Sequence, residues 1–146
     1  MNKEQTIILL DKIRDIHINL MKQTASILDS KIVTQADKNC NLKYEYEELV
    51  DLNGVHLQKI LGLLFYSKFD LLHKQWHKEY YRLYEILYKK DKSLFSKFKK
   101  RKKINSMEMD KCKLYFSELK ITTDALTKAI NLSKRRVTAL SDDAFH

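Results

Sequence analysis

Proline is absent from this 146-residue chain, and glycine occurs only at Gly54 and Gly62. These residues punctuate turns, hairpins and strand ends, so their scarcity argues against all-β and α/β folds. Two glycines also cannot build a GxGxxG or P-loop phosphate cradle, and no G-x-S-x-G nucleophile elbow is present. Long apolar runs are missing as well. No stretch approaches the roughly 18 consecutive apolar residues that a membrane span requires, and the opening MNKEQTIILLDKIRD has too short an apolar run for a secretory signal. Cysteine is limited to Cys40 and Cys112, far apart and without CxxC spacing, which suits a reducing compartment where a buried thiol acts as a small hydrophobe. An intracellular, cytoplasmic protein without a transmembrane segment is expected.

What is there is a charge-rich chain, 44% hydrophobic and 32% charged, of a length that fits one folded domain. Apolar residues recur in helical register. From Thr6 onward, Leu9, Ile13, Ile16, Leu20 and Ile27, with Thr24 in the remaining slot, mark a seam with alternating steps of three and four. They predict a first helix over about 5–30. Periodicity lapses over residues 32–40, read as the first turn, with Asp37 a candidate N-cap. A central helical segment over about 38–101 follows. Its first half carries Leu42, Tyr46, Leu49, Leu57, Ile60 and Leu64, and its second half Phe69, Leu72, Trp76, Tyr80, Leu83, Leu87, Leu94 and Phe98. Unbroken, it would be about 95 Å long at 1.5 Å per residue, so a break is expected between Asp51 and Asp70, with either glycine able to mark it. Asn105, with Glu108 three residues on, resembles a capping box, with Ser106 an alternative cap, and opens a last helix over about 106–140. Its seam is Met109, Cys112, Phe116, Leu119, Thr123, Leu126, Ile130, Ser133, Val137 and Leu140. The expected fold is all-α, a single-domain elongated antiparallel bundle of three or four helices with coiled-coil-like packing.

Charge is concentrated in one place. Residues 89–103, KKDKSLFSKFKKRKK, hold nine basic side chains against Asp91, and the other 131 residues carry 19 basic and 18 acidic ones. Complementing a helix macrodipole takes one or two cations. Nine exceed that, and consecutive like charges repel, so a neutralising partner is a fair inference. The candidate anion-binding residues are Lys89, Lys90, Lys92, Lys97, Lys99, Lys100, Arg101, Lys102 and Lys103. Nucleic-acid phosphates would suit them without sequence preference, although no helix-turn-helix, zinc knuckle or RNP motif accompanies them. An anionic membrane surface would suit them equally, with Phe95 and Phe98 at the headgroup level. In a cell with a nucleus, KKRKK could also serve as an import tag.

Three other groups carry less. His73 and His77 stand at i and i+4 and could share a metal. The HExxH order is missing, though, and nothing in the spacing of His17, His56, Cys40 or Cys112 demands their participation, so no metal and no cofactor is expected. Trp76, Tyr80, Tyr84 and Tyr88 form a stripe whose simplest role is core packing; with Phe95 and Phe98 it is also the candidate partner surface. Glu45, Glu47 and Glu48 lack the Glu-x-x-His pattern of a di-metal bundle and read as a solvated turn.

With no catalytic constellation, the expected function is that of a non-enzymatic helical protein-interaction module, an adaptor, chaperone or assembly factor, binding another protein or a second copy of itself. Heptad-spaced apolar surface beyond what a small bundle needs supports this and predicts an exposed apolar groove. The alternative is an accessory nucleic-acid binder, or a membrane-surface binder, using residues 89–103 as a clamp.

Overall fold

The computed structural model describes residues 1–30, 32–34, 53–88 and 101–146. Four helices dominate them: α1 (Lys3–Ser30), α2 (residues 53–61), α3 (Leu63–Tyr88) and α4 (Ser106–Ala139), with a single 3-10 turn at Asp142–Phe145. The protein is all-α, as its sequence predicts. Among the described residues the exception is a short antiparallel ladder between β1 (Ile32–Thr34) and β2 (Arg101–Lys103), with Ile32 opposite Lys103 and Thr34 opposite Arg101.

Helix α4 is the common packing partner. Lys3 Nζ donates to the Leu140 carbonyl, Lys134 meets Asp11 at 2.6 Å, and Arg14 donates to Asn131, so α1 and α4 run antiparallel. On the other flank, the Arg136 guanidinium lies 4.9 Å from the centre of the Phe65 ring, Trp76 donates to Thr123, and Arg82 pairs with Glu118. Helix α3 is therefore also antiparallel to α4, which makes α1 and α3 parallel. Such part-exposed ion pairs contribute about 0.2–1 kcal/mol each, so they set register more than stability. The stabilising mass is apolar: Leu10, Ile13, Leu57, Leu61, Phe69, Trp76, Leu83, Leu119 and Ile130 are fully buried, each contributing on the order of 1.5–3 kcal/mol.

Helix ends follow local chemistry. Asn105 caps α4: its side-chain oxygen accepts from the Glu108 amide at 2.8 Å while its Nδ2 donates to Glu108 Oε1. A second box, which the sequence reading passes over, opens α1. Asn2 Oδ1 accepts from the Gln5 amide, and Gln5 Oε1 accepts from the Asn2 amide. The expected break in the central segment falls at Gly62, whose φ of 81° ends α2 in the left-handed region. Its amide donates to the Gln58 carbonyl and its own carbonyl accepts from Tyr66, so one residue closes α2 and starts α3.

One boundary differs from expectation. The central helix was to continue to Arg101, yet Arg101–Lys103 is extended. A helix through KKRKK would set like charges three and four residues apart on one face, each pair destabilising by a few tenths of a kcal/mol. Extended backbone avoids that, and pairing with Ile32–Thr34 supplies its hydrogen bonds. Residues 89–100 and 35–52, which include Cys40 and the Glu45–Glu48 cluster, lie outside the described residues.

Replacing Gly62 with Ala tests the hinge. A Cβ there would meet only Arg136 Nη2 at an ordinary 3.6 Å, so the cost is backbone strain rather than a clash. The expected loss is about 1–2 kcal/mol, read as a lower urea midpoint at unchanged slope.

Candidate functional site

The buried positions of α1 are Thr6, Leu9, Leu10, Ile13, His17, Leu20, Met21 and Thr24. The series 6, 10, 13, 17, 20, 24 alternates steps of four and three, so His17 occupies the core slot that the sequence reading gave to Ile16. Helix α3 repeats the substitution. Phe69, His73, Trp76, Tyr80, Leu83 and Leu87 are buried, and His73 replaces the expected Leu72. Because α1 and α3 are parallel, the two histidines meet in one layer with Trp76 and His77.

Every ring in that layer touches another edge-on. The His17 ring lies 4.4 Å from Trp76, 5.4 Å from His73 and 5.6 Å from His77, centre to centre, and His73 and His77 are 4.4 Å apart. Phe69 stacks on His73, and Tyr80 on Trp76 at 4.9 Å. The Trp76 indole N–H donates to Thr123 Oγ1 at 2.7 Å, and that hydroxyl donates onward to the Leu119 carbonyl. Thr24 and Ser133, also in core slots, return their hydroxyls to Leu20 and Ala129 in the same manner. A polar residue is thus tolerated in the core where it brings its own hydrogen bond.

Burial keeps the His17 and His73 imidazoles neutral. Desolvation lowers the His17 pKa to about 4, against a smaller opposing effect of its bond to Ile13. His73 is pushed well below the ordinary histidine value by burial and then by the neighbouring His77, His17 and Lys74. His17 Nδ1 stands 2.7 Å from the Ile13 carbonyl, which can only accept, so Nδ1 carries the proton and Nε2 carries the lone pair. One ring nitrogen from each of His17, His73 and His77 lies within 4.8 Å of the other two. Sequence spacing offered only the pair on α3; the third histidine, 56 residues before His73, needed the parallel packing of α1.

The other sequence-derived candidates are scattered. Trp76 is 0% exposed and Tyr80 only 7%, so they belong to the core and not to the proposed partner surface, because they fill the α3 seam against α4. Tyr84 is half-buried against the core, 6.4 Å from Tyr80 and 6.1 Å from Tyr81. Of the basic group, Arg101, Lys102 and Lys103 form β2. Lys89, Lys90, Lys92, Lys97, Lys99, Lys100, Phe95 and Phe98 lie outside the described residues, as does the side chain of Tyr88. Ile104, just beyond, is core.

Sequence reasoning missed the exposed stripe of α4. Met107, Leu114 and Ile121, each seven residues from the last, are 73%, 57% and 72% exposed. Leu64 and Leu71 repeat that spacing on α3. The signal was readable as a second heptad beside the core one, but the stronger seam masked it. Among the described residues no helix is long and apolar enough to cross a membrane. Comparison with protein-family models, curated proteins and solved structures finds no match.

Replacing Thr123 with the isosteric Val would strip the buried Trp76 N–H of its acceptor while keeping the packing. A loss of about 1–3 kcal/mol is expected in chemical unfolding.

Proposed function

We propose that this protein is a non-enzymatic helical interaction module, an adaptor, chaperone or assembly factor, that lays a helix of a partner protein along α4. The observation that carries the reading is the stripe Met107, Leu114 and Ile121. Isolated exposed leucines are ordinary on any surface. Three large apolar side chains at seven-residue steps along one helix match the repeat with which another helix packs. The stripe replaces the groove that the sequence suggested. Lys113 and Lys120, both exposed, flank it and favour a partner helix with acidic edges.

The Leu114→Lys/Ile121→Lys double variant should keep its stability within about 0.5 kcal/mol per site, since both positions are exposed. In chemical cross-linking, a partner joined to the wild-type chain should be lost from this variant and retained by Thr138→Lys, an exposed substitution elsewhere on α4. A partner that survives the double variant unchanged would overturn the stripe as its site.

A second reading rests on β2, whose pairing with β1 anchors one end of the basic stretch to the bundle. In it, residues 89–103 clamp phosphates without reading sequence. Replacing Lys99, Lys100, Arg101, Lys102 and Lys103 with Gln should reduce the slope of log affinity against log salt by about one per lost phosphate contact, measured by fluorescence anisotropy on a labelled duplex and a single strand. Binding to phosphatidylserine vesicles but to neither nucleic acid would assign the stretch to a membrane surface instead.

A further inference from the structure

We propose that His17, His73 and His77 form a binding site for one divalent transition-metal ion of the zinc type, held by one imidazole nitrogen from each and independent of the docking surfaces. The chain has five histidines, and three of them, from two helices, share one core layer. His73 and His77 stand one turn apart on a single face of α3, and His17 faces them from α1, so the trio is convergent rather than strung along one helix.

Their chemistry fits a borderline cation. Imidazole binds zinc, copper, nickel and iron in the neutral form, the form that burial enforces on His17 and His73. His17 already shows the arrangement of a metal-binding histidine, one ring nitrogen donating to a backbone carbonyl so that the other presents its lone pair. Bonds of 2.0–2.1 Å in tetrahedral geometry would set the nitrogens roughly 3.4 Å apart. The nitrogens all lie within 4.8 Å of one another, so none would have to close by more than roughly 1.4 Å to reach that geometry. Three histidines leave a fourth position, which goes to water, hydroxide or an anion that offsets the buried charge. Nε2 of His17 and His73 and both ring nitrogens of His77 are closed off from solvent, so a captured ion would exchange slowly.

Trp76 makes the test direct. It is the only tryptophan, and its ring centre lies 4.4 Å from that of His17 and 5.2 Å from that of His77. Chelator-treated protein is titrated with Co2+, reading visible ligand-field absorption and Trp76 emission together, and then with Zn2+ as competitor. One equivalent of Co2+ should produce the intense bands of four-coordinate cobalt and quench the emission, and Zn2+ should reverse both. Half-buried His77 tolerates truncation best of the three, so His77→Ala is the first variant. With native helicity by circular dichroism, it should bind at least about 100-fold more weakly. His17→Gln and His73→Gln should behave alike. Removing the other two histidines, as His56→Ala/His146→Ala, should leave binding unchanged. Zn2+ should also raise the thermal midpoint of the wild-type chain in proportion to the logarithm of its concentration, a readout that needs no variant. Folded wild-type protein that takes up no Co2+ or Zn2+ would overturn the site. So would binding that His77→Ala keeps within about threefold, or that disappears with His56 and His146; either would leave only an adventitious surface site.

Discussion

The molecule depends on one uninterrupted seam. Helix α4 carries buried residues from Met109 to Val137, and both α1 and α3 take their direction and register from it. A helix of 34 residues spans about 51 Å, so a single helix supplies the wall against which two others pack in parallel. The arrangement asks little of turn residues, which the chain scarcely has beyond Gly62 at the start of α3. It also constrains what the core can hold, because every slot of the seam faces two neighbours.

Polar residues in the core are admitted on a shared condition. Thr24, Thr123 and Ser133 each return a hydroxyl to the carbonyl four residues earlier, and Thr123 also accepts the Trp76 N–H. Since an unmade hydrogen bond in the interior costs more than a made one gains, these contacts specify register more than they add stability. The histidine layer follows the same logic, with His17 tied to the Ile13 carbonyl. What differs is that its rings retain chemistry: three imidazoles in mutual contact are a ligand set, whereas three hydroxyls bonded to their own helices are not.

The surface divides into features of different kinds. The far end of the bundle from Gly62 carries the paired strands and the start of the basic stretch's link into α4, while the exposed heptads run along α4 and the first half of α3. An apolar stripe favours a helix and a dense basic stretch favours anions. They stand on different elements, which is why the docking and clamp readings can be tested separately.

Sequence alone determined the class and most of the boundaries. The absence of proline, the scarcity of glycine and the three-and-four periodicity fixed an all-α chain, a first helix ending at Ser30, and a last helix opening on the Asn105 cap, because those features act within a few residues. A break was legible from length; its position at Gly62 was not, since both glycines sat inside the expected interval and only one adopts a positive φ. Tertiary structure decided the face. At Ile16–His17 and Leu72–His73 hydrophobicity assigns the apolar residue to the core, but packing against α4 puts its histidine neighbour, about 100° round the helix, in that one slot while the neighbouring slots stay where periodicity puts them. That exchange of one slot on each helix gathered the histidines around Trp76. Periodicity reports that a helix has an apolar side; which of two adjacent residues lies at its centre is settled only by the neighbour it must fit.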